Sequence, residues 1–258
     1  MEEFDSAMKH IVLPDNQDRS LAFYLAMEEF VAREIEGEAF FVWRVAPTVI
    51  FGRNQMLENE VNLEYCKAEG VAIVQRKSGG GCVYSDKGNI MISYVSGRGV
   101  ERGVVSDIFE RYLTELTSCL RALGLEAEKS GRNDILVEGR KVSGNAFHQL
   151  PDRSIVHGTL LYDTDMDALE IAIRPPVEKL ERHGVQSVRQ RVRNIAEIVA
   201  QMCQPQGQQQ GPQLHEALKS VEALEKYIVE YFTEGEIQLS LDDVAVIEDM
   251  ARPYVVQI

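Results

Sequence analysis

Residues 126–161 read EAEKSGRNDILVEGRKVSGNAFHQLPDRSIVHGTLL, and this stretch decides the fold class. It is strand-like, with turns at Glu138-Gly139 and Pro151-Asp152, and no amphipathic helix interrupts it. Parallel neighbours would need a crossover of a dozen or more residues, usually a helix. None fits here, so these strands are expected to pair antiparallel. Upstream, residues 104–123 carry Phe109, Tyr112, Leu113, Leu116, Leu120 and Leu123 on one helical stripe, stopped by Gly124. Residues 17–36 form a second helix on the spacing of Leu21, Tyr24, Leu25, Met27 and Val31. Strands are expected at 39–45, 48–51, 82–84 and 89–95, with a short helix at 61–69 closed by Gly70. The apolar run Val71-Ala72-Ile73-Val74 reads as a central strand. Helices are expected again at 165–173, 187–202 and 214–231, then a strand at 237–241 and a short helix at 242–251. The sum is an α+β domain with a mostly antiparallel central β-sheet flanked by helices, occupying residues 1–258 as one unit. Residues 204–213 hold six Gln, two Pro and two Gly, a composition that predicts a mobile loop before the C-terminal helical segment 214–258.

Composition narrows the function. The 258 residues carry 27 Lys+Arg against 41 Asp+Glu, a net charge of −14, which argues against binding to a nucleic-acid backbone. No apolar run approaches the ~20 residues needed to span a bilayer, and the acidic N-terminus has no signal pattern. Cys66, Cys82, Cys119 and Cys203 form no CxxC pair, which fits a reducing cytoplasm and disfavours a cysteine zinc site.

Three segments carry chemistry. In Gln75-Arg76-Lys77-Ser78-Gly79-Gly80-Gly81-Cys82-Val83-Tyr84-Ser85-Asp86-Lys87-Gly88-Asn89, the triglycine lets backbone N–H groups approach an anion, with Arg76 and Lys77 beside it. The alternative reading is a glycine-rich hairpin turn. It is neither a Walker A loop nor a dinucleotide fingerprint. Gly131-Arg132-Asn133-Asp134 and Gly139-Arg140-Lys141-Val142-Ser143-Gly144-Asn145-Ala146 place Lys141 among turn residues. There it is either a solvated surface charge or a point charge neutralising two anions that must react together. His157-Gly158-Thr159-Leu160-Leu161 adds a histidine of structural or catalytic use.

Together with Pro47-Thr48-Val49-Ile50-Phe51-Gly52-Arg53-Asn54-Gln55, these blocks resemble the lipoate–protein ligase family of the biotin/lipoate ligase superfamily in order and spacing. Ser187-Val188-Arg189 and Val192-Arg193-Asn194 also look familial. The resemblance spans roughly residues 20–200, with the motif core at about 30–200. It implies an enzyme that converts lipoate and ATP to lipoyl-adenylate and passes the lipoyl group to a lysine of an acceptor domain. The acceptors it implies are E2 subunits of 2-oxoacid dehydrogenases and the glycine cleavage H protein. By the same resemblance, Lys141 is catalytic. Arg76, Gly81, Cys82, Val83, Tyr84, Asn89, Lys141 and Ser143 hold ATP or adenylate. Ser78, Gly79, Gly80, Lys141, Gly144, Ala146, His157 and Gly158 hold lipoate. Magnesium is expected with the triphosphate, and Asp134 is a candidate ligand only. Cys82 stands where the family usually has a small residue such as Ala or Thr, to which Cys is similar in size, and Ser85 where it has His. The implied protein is a cytoplasmic monomer, a catalytic domain whose accessory C-terminal domain is absent, is a separate subunit, or is cut off by truncation of the sequence. The alternatives are a lipoyl or octanoyl transferase using a preformed acyl donor, in which Cys82 would be the thiol, and a non-catalytic lipoate-binding homologue. The segments Ser78–Gly81 and Gly131–Lys141 are the expected lids.

Overall fold

Strand β6 (Asn89–Val95) is buried at every position, because helices cover both faces of the sheet at its middle. Ile90, Ile92 and Tyr94 point into one core and Met91 and Val95 into the other. The computed structural model describes residues 8–97, 105–131, 133–173, 191–203 and 214–256. Arg132, Ser187-Val188-Arg189 and the Gln-rich stretch 204–213 lie outside the described residues.

The other strands of the large sheet are β1 (Met8–Val12), β2 (Ala39–Trp43), β7 (Ala127–Ser130), β8 (Asp134–Val137), β9 (Arg140–Gln149), β10 (Ser154–Leu161) and β11 (Thr233–Gln238). Its order is β11-β1-β2-β6-β10-β9-β8-β7. From β2 to β7 every neighbour is antiparallel, as the absence of a crossover in 126–161 requires. The pairs β1–β11 and β1–β2 are parallel. A second sheet of three strands, in the order β4 (Ala72–Gln75), β3 (Thr48–Phe51), β5 (Val83–Ser85), stands apart from the first. The expected central strand at 71–74 is therefore an edge strand. Its outer side is covered by an antiparallel bridge between Val74 and Val255, so its apolar run reflects cover by the C-terminal segment.

Helix α1 (Leu21–Glu34) is capped by Ser20, whose side chain accepts from Phe23 N–H. The small helices α2 (Leu57–Glu60) and α3 (Leu63–Glu69) follow β3. Helix α4 (Val105–Ala122) and, later in the chain, α5 (Met166–Ala172), α6 (Ile195–Met202), α7 (Val221–Phe232) and α8 (Leu241–Ala251) are the remaining α-helices of the described residues. Leu116, Leu120, Ile198, Leu224 and Ile228 from α4, α6 and α7 fill one face of the large sheet. Leu25 and Phe30 of α1 with Val244 and Ile247 of α8 fill the other. Arg153, with no exposed surface, donates to the carbonyls of Ser96 (2.6 Å), Ala32 (3.1 Å) and Ile35 (2.5 Å) and to that of Gly37. It thereby closes the orphan carbonyl end of α1 and fixes that helix to the turn before β10.

Candidate active site

Lys141 is delivered by an irregularity in β9. Across the β8–β9 ladder Ile135 pairs with Ser143, but Leu136 pairs with Lys141, leaving Val142 as an extra residue. In a regular strand residues 141 and 143 would share a face. The bulge instead turns Lys141 to the side opposite Ile135, whose side chain lies in the α4 core. Residues after the described gap hold this position. Lys141 and Val192 form a parallel bridge, and Arg193 N–H donates to the Lys141 carbonyl at 2.9 Å. The Lys141 ammonium crosses over Gly144, where an added Cβ would lie 2.6 Å from Nζ. It pairs with Asp134 Oδ1 at 2.7 Å, both side chains about one-third exposed (32% and 34%).

Lys141 opens into a cleft between the two sheets. One end is apolar, with Leu21, Leu25, Trp43, Ile50 and Met91. The other is polar, with Arg76, Lys141, Asn133 and Asn145 facing the backbone of Gly80–Val83. Asn133 and Asn145 clasp each other: Asn133 Nδ2 donates to the Asn145 carbonyl at 2.8 Å and Asn145 Nδ2 to the Asn133 carbonyl at 3.1 Å.

Of the residues expected from the sequence, the cleft brings together Arg76, Gly80, Gly81, Cys82, Val83, Lys141, Gly144, Ala146, His157 and Gly158. Others do not line it. Tyr84 packs in the core of the small sheet, Ser143 is fully buried and accepts from Asn145 Nδ2, and Asn89 is fully buried with its amide donating to the Tyr84 carbonyl. Gly79 also lies off the lining, its carbonyl taken by Arg76. Ser78 lies behind the lining, its hydroxyl 2.6 Å from His157 Nε2, while His157 Nδ1 is 2.9 Å from Glu28 Oε2. Asp134 serves as the counter-ion of Lys141. Among the described residues no group of three or more His, Cys, Asp or Glu is gathered, so a magnesium ion here would be held chiefly by the phosphates of the nucleotide. Sequence reasoning did not single out Trp43, Leu25, Met91, Asn145 or Thr159 as cleft residues; the first three are ordinary core types, and only the third dimension separates them from the core.

Arg76 differs in role from its expectation. Its guanidinium donates to the carbonyls of Gly79 (2.8 and 3.2 Å), Gly81 (2.7 Å) and Ile50 (3.3 Å). It thus moulds the triglycine loop from beneath. No carboxylate pairs with it among the described residues, and burial pushes it down to about 10, so the cleft wall retains a positive charge at neutral pH. Gly52 meets this loop so closely that a Cβ there would lie 2.6 Å from the Gly80 carbonyl, and Arg53 N–H donates to the Ser78 carbonyl at 3.0 Å. The expected lid at 78–81 is therefore pinned from two sides. Burial pushes the Cys82 thiol up to about 12, Glu60 adds to the rise, and Arg76 offsets only part of it.

A cleft with a cationic end beside a glycine loop is shared by many nucleotide enzymes, and a family assignment rests on the chain's match to known proteins. Residues 20–210 match the model of the lipoyl protein ligase A/B catalytic domain. The chain belongs to this family. Lipoate-protein ligase LplJ of Bacillus subtilis and lipoate–protein ligase 1 of Staphylococcus aureus are each 37% identical over 177 residues, 68% of this chain. The chain spans about half the length of these relatives (53% of each). The fold is similar to that of the bipartite lipoate protein ligase of an archaeal lipoylation system from Thermoplasma acidophilum, with a TM-score of 0.75 at 22% identity over 95% of this chain and 92% of that one. It is equally similar to a lipoate-protein ligase A bound with ATP, with a TM-score of 0.75 at 21% identity over 95% and 94%. Among the described residues no helix is long and apolar enough to cross a membrane.

Proposed function

We propose that residues 1–258 act as one catalytic unit that activates lipoate with ATP and transfers the lipoyl group to a lysine of an acceptor domain. The observation that carries this reading is the mixed lining of the cleft: apolar side chains suited to an acyl chain, and Lys141 and Arg76 beside the glycine loop. In the first step a lipoate carboxylate oxygen attacks the α-phosphorus of ATP, and the bond to the β-phosphate oxygen breaks to release pyrophosphate. Both reactants are anions. Lys141, freed from Asp134 by the incoming charges, bridges them and stabilises the transition state. The backbone of Gly81-Cys82-Val83 carries the nucleotide, and Arg76 keeps that backbone in shape while adding positive charge. Leu25, Trp43 and Met91 receive the alkyl chain, with His157 and Gly158 on its polar flank. In the second step the acceptor's neutral lysine amine attacks the acyl carbon, the acyl–oxygen bond to AMP breaks, and the amine loses its proton. No enzyme thioester is required, which agrees with a Cys82 thiol held far above neutral pH. Magnesium enters as the counter-ion of the triphosphate. The acceptors are E2 subunits and the glycine cleavage H protein. The chain works as a cytoplasmic monomer.

The test combines purified chain, lipoate and a lipoyl-acceptor domain, with and without MgATP. Acceptor modification and pyrophosphate release that both require ATP support the ligase. Modification from an octanoyl carrier protein without ATP would replace it with the transferase, and binding without modification with a non-catalytic module.

A further inference from the structure

The back of the glycine loop is held by a set of contacts that the proposed chemistry does not use. Helix α1 presents two adjacent carboxylates, Glu28 and Glu29, both nearly fully buried. Glu28 reaches Ser78 through His157. Glu29 accepts from the neighbouring loop residue Lys77 and from the hydroxyl of Tyr254, and its other oxygen pairs with Arg33 at 3.1 Å. The Lys77 ammonium also lies 5.0 Å from the centroid of the Tyr254 ring. Tyr254 is 5% exposed and belongs to the one-turn 3₁₀ helix Arg252–Tyr254 after α8. The residues that follow it bind the strand that leads into the loop: Val255 bridges Val74, and Val256 N–H donates to the Ile73 carbonyl at 3.2 Å.

We propose that Tyr254 is a positioning residue of the site, which acts through Glu29 and Lys77 to fix the glycine loop for the nucleotide. Three points converge on this. The tyrosine hydroxyl and the lysine ammonium share one buried carboxylate, so each constrains the other's geometry. Lys77 is adjacent in sequence to Arg76 and Ser78, which shape the loop directly. The same C-terminal turn also covers the edge of β4, so strand and loop are fixed from one place. The Tyr254 ring packs in the same core as Leu21, Leu25 and Trp43, but its hydroxyl meets Glu29 beside Lys77, so removing the hydroxyl alone bears on the loop and leaves the apolar packing in place.

The inference rests on the reading of the loop as the nucleotide cradle. Its test uses the full chain with Tyr254→Phe, which keeps the buried ring and removes only the hydroxyl, and with Glu29→Gln. Expected first is faster amide exchange of residues 77–82 in the ligand-free Tyr254→Phe protein, with β6 and β10 unchanged. Expected second is a KM for ATP raised about fivefold in lipoate-dependent pyrophosphate release, with the KM for lipoate unchanged. Expected third is that the Tyr254→Phe/Glu29→Gln double variant is no worse than Glu29→Gln alone. Unchanged loop exchange, exchange accelerated equally throughout the sheet, or full additivity in the double variant would each overturn the proposal. If the unaltered protein releases no pyrophosphate with lipoate, the proposed activity fails, and loop exchange still decides the role of Tyr254.

Discussion

Lys141 carries the strongest expectation at the scale of single residues. It contacts Asp134 and lies over Gly144 without supporting the core, so Lys141→Ala should leave the melting temperature nearly unchanged. Lipoate-dependent pyrophosphate release should fall by ~10²–10³, the usual loss for one preorganised charge at a reacting centre. Near-normal release would remove Lys141 from the chemistry. Cys82→Ala should behave in the opposite way. With the thiol pushed up to about 12, the thiolate fraction at pH 7 is on the order of 10⁻⁵, too small for a nucleophile without further activation. The variant should keep most of its ATP-dependent activity, and intact mass should show no acyl adduct on Cys82 in the unaltered protein. The neighbours of Lys141 marked it in the sequence, since Gly and Ser on either side suit a site-lining turn. Its facing was not legible, because a one-residue bulge reverses a side chain and leaves no trace in composition. Arg76 was legible as a loop residue but not as the loop's scaffold, because its carbonyl partners come together only in the folded turn.

At the scale of elements, the boundary between β3 and the glycine loop is the tightest point near the site. Gly52→Ala would set a methyl group against the Gly80 carbonyl, a backbone atom that cannot swing aside. The loop must shift, at a cost of ~1–3 kcal/mol typical of overpacking. Pyrophosphate release should fall at least tenfold, a loss of ~1.4 kcal/mol or more in transition-state stabilisation. Thermal unfolding and the release assay on one sample separate the two effects, and unchanged kinetics would mean that the loop's present shape is not the working one. Elements with a strong period were readable: α1 and α4 lie close to their expected limits, α7 ends where expected but starts at Val221, and 127–161 is strand with turns at 138–139 and 151–152 as expected. The missed elements lack that signal. Strand β1 (MKHIV) is short and part polar. Strand β11 (TEGEIQ) starts where α7 ends and exposes Glu234 and Glu236, so it reads as turn and not as the expected strand at 237–241. That β2 and β3 enter different sheets is a tertiary fact. Pro47 marks the break between them but not its destination.

At the scale of the whole molecule, Glu29 joins regions that are far apart in the chain, with Lys77 and Tyr254 meeting on one helix. Burial alone would push its carboxyl up. The hydrogen bonds from Lys77 and Tyr254 and the charge of Lys77 outweigh burial and hold it below the ordinary carboxylate value of 4.5. The sign of the resulting pH dependence is fixed. The unfolded chain binds the Glu29 proton more readily than the folded one, so the stabilisation is complete above pH 4.5. It is lost as pH falls through the lower folded value. Glu29→Gln removes that stabilisation at neutral pH and has none left to remove in acid. The melting temperature of the variant should therefore lie about 2–4 °C below the unaltered protein at pH 7.5, the range for a loss of ~1–2 kcal/mol in a chain of this length. The gap should shrink as pH falls below 4.5 and through the lower folded value of Glu29, beyond which both proteins carry a neutral group at position 29. Because the quantity is a difference, the burial that raises Asp86 and Glu225 largely cancels from it, whereas His148, which the Glu29 charge raises against its burial, does not. A gap that is constant from pH 7.5 to 3.5 would show that the glutamate acts by packing alone. A gap that widens in acid would show that its charge is a burden to the fold, and the three-way junction would then not be held electrostatically.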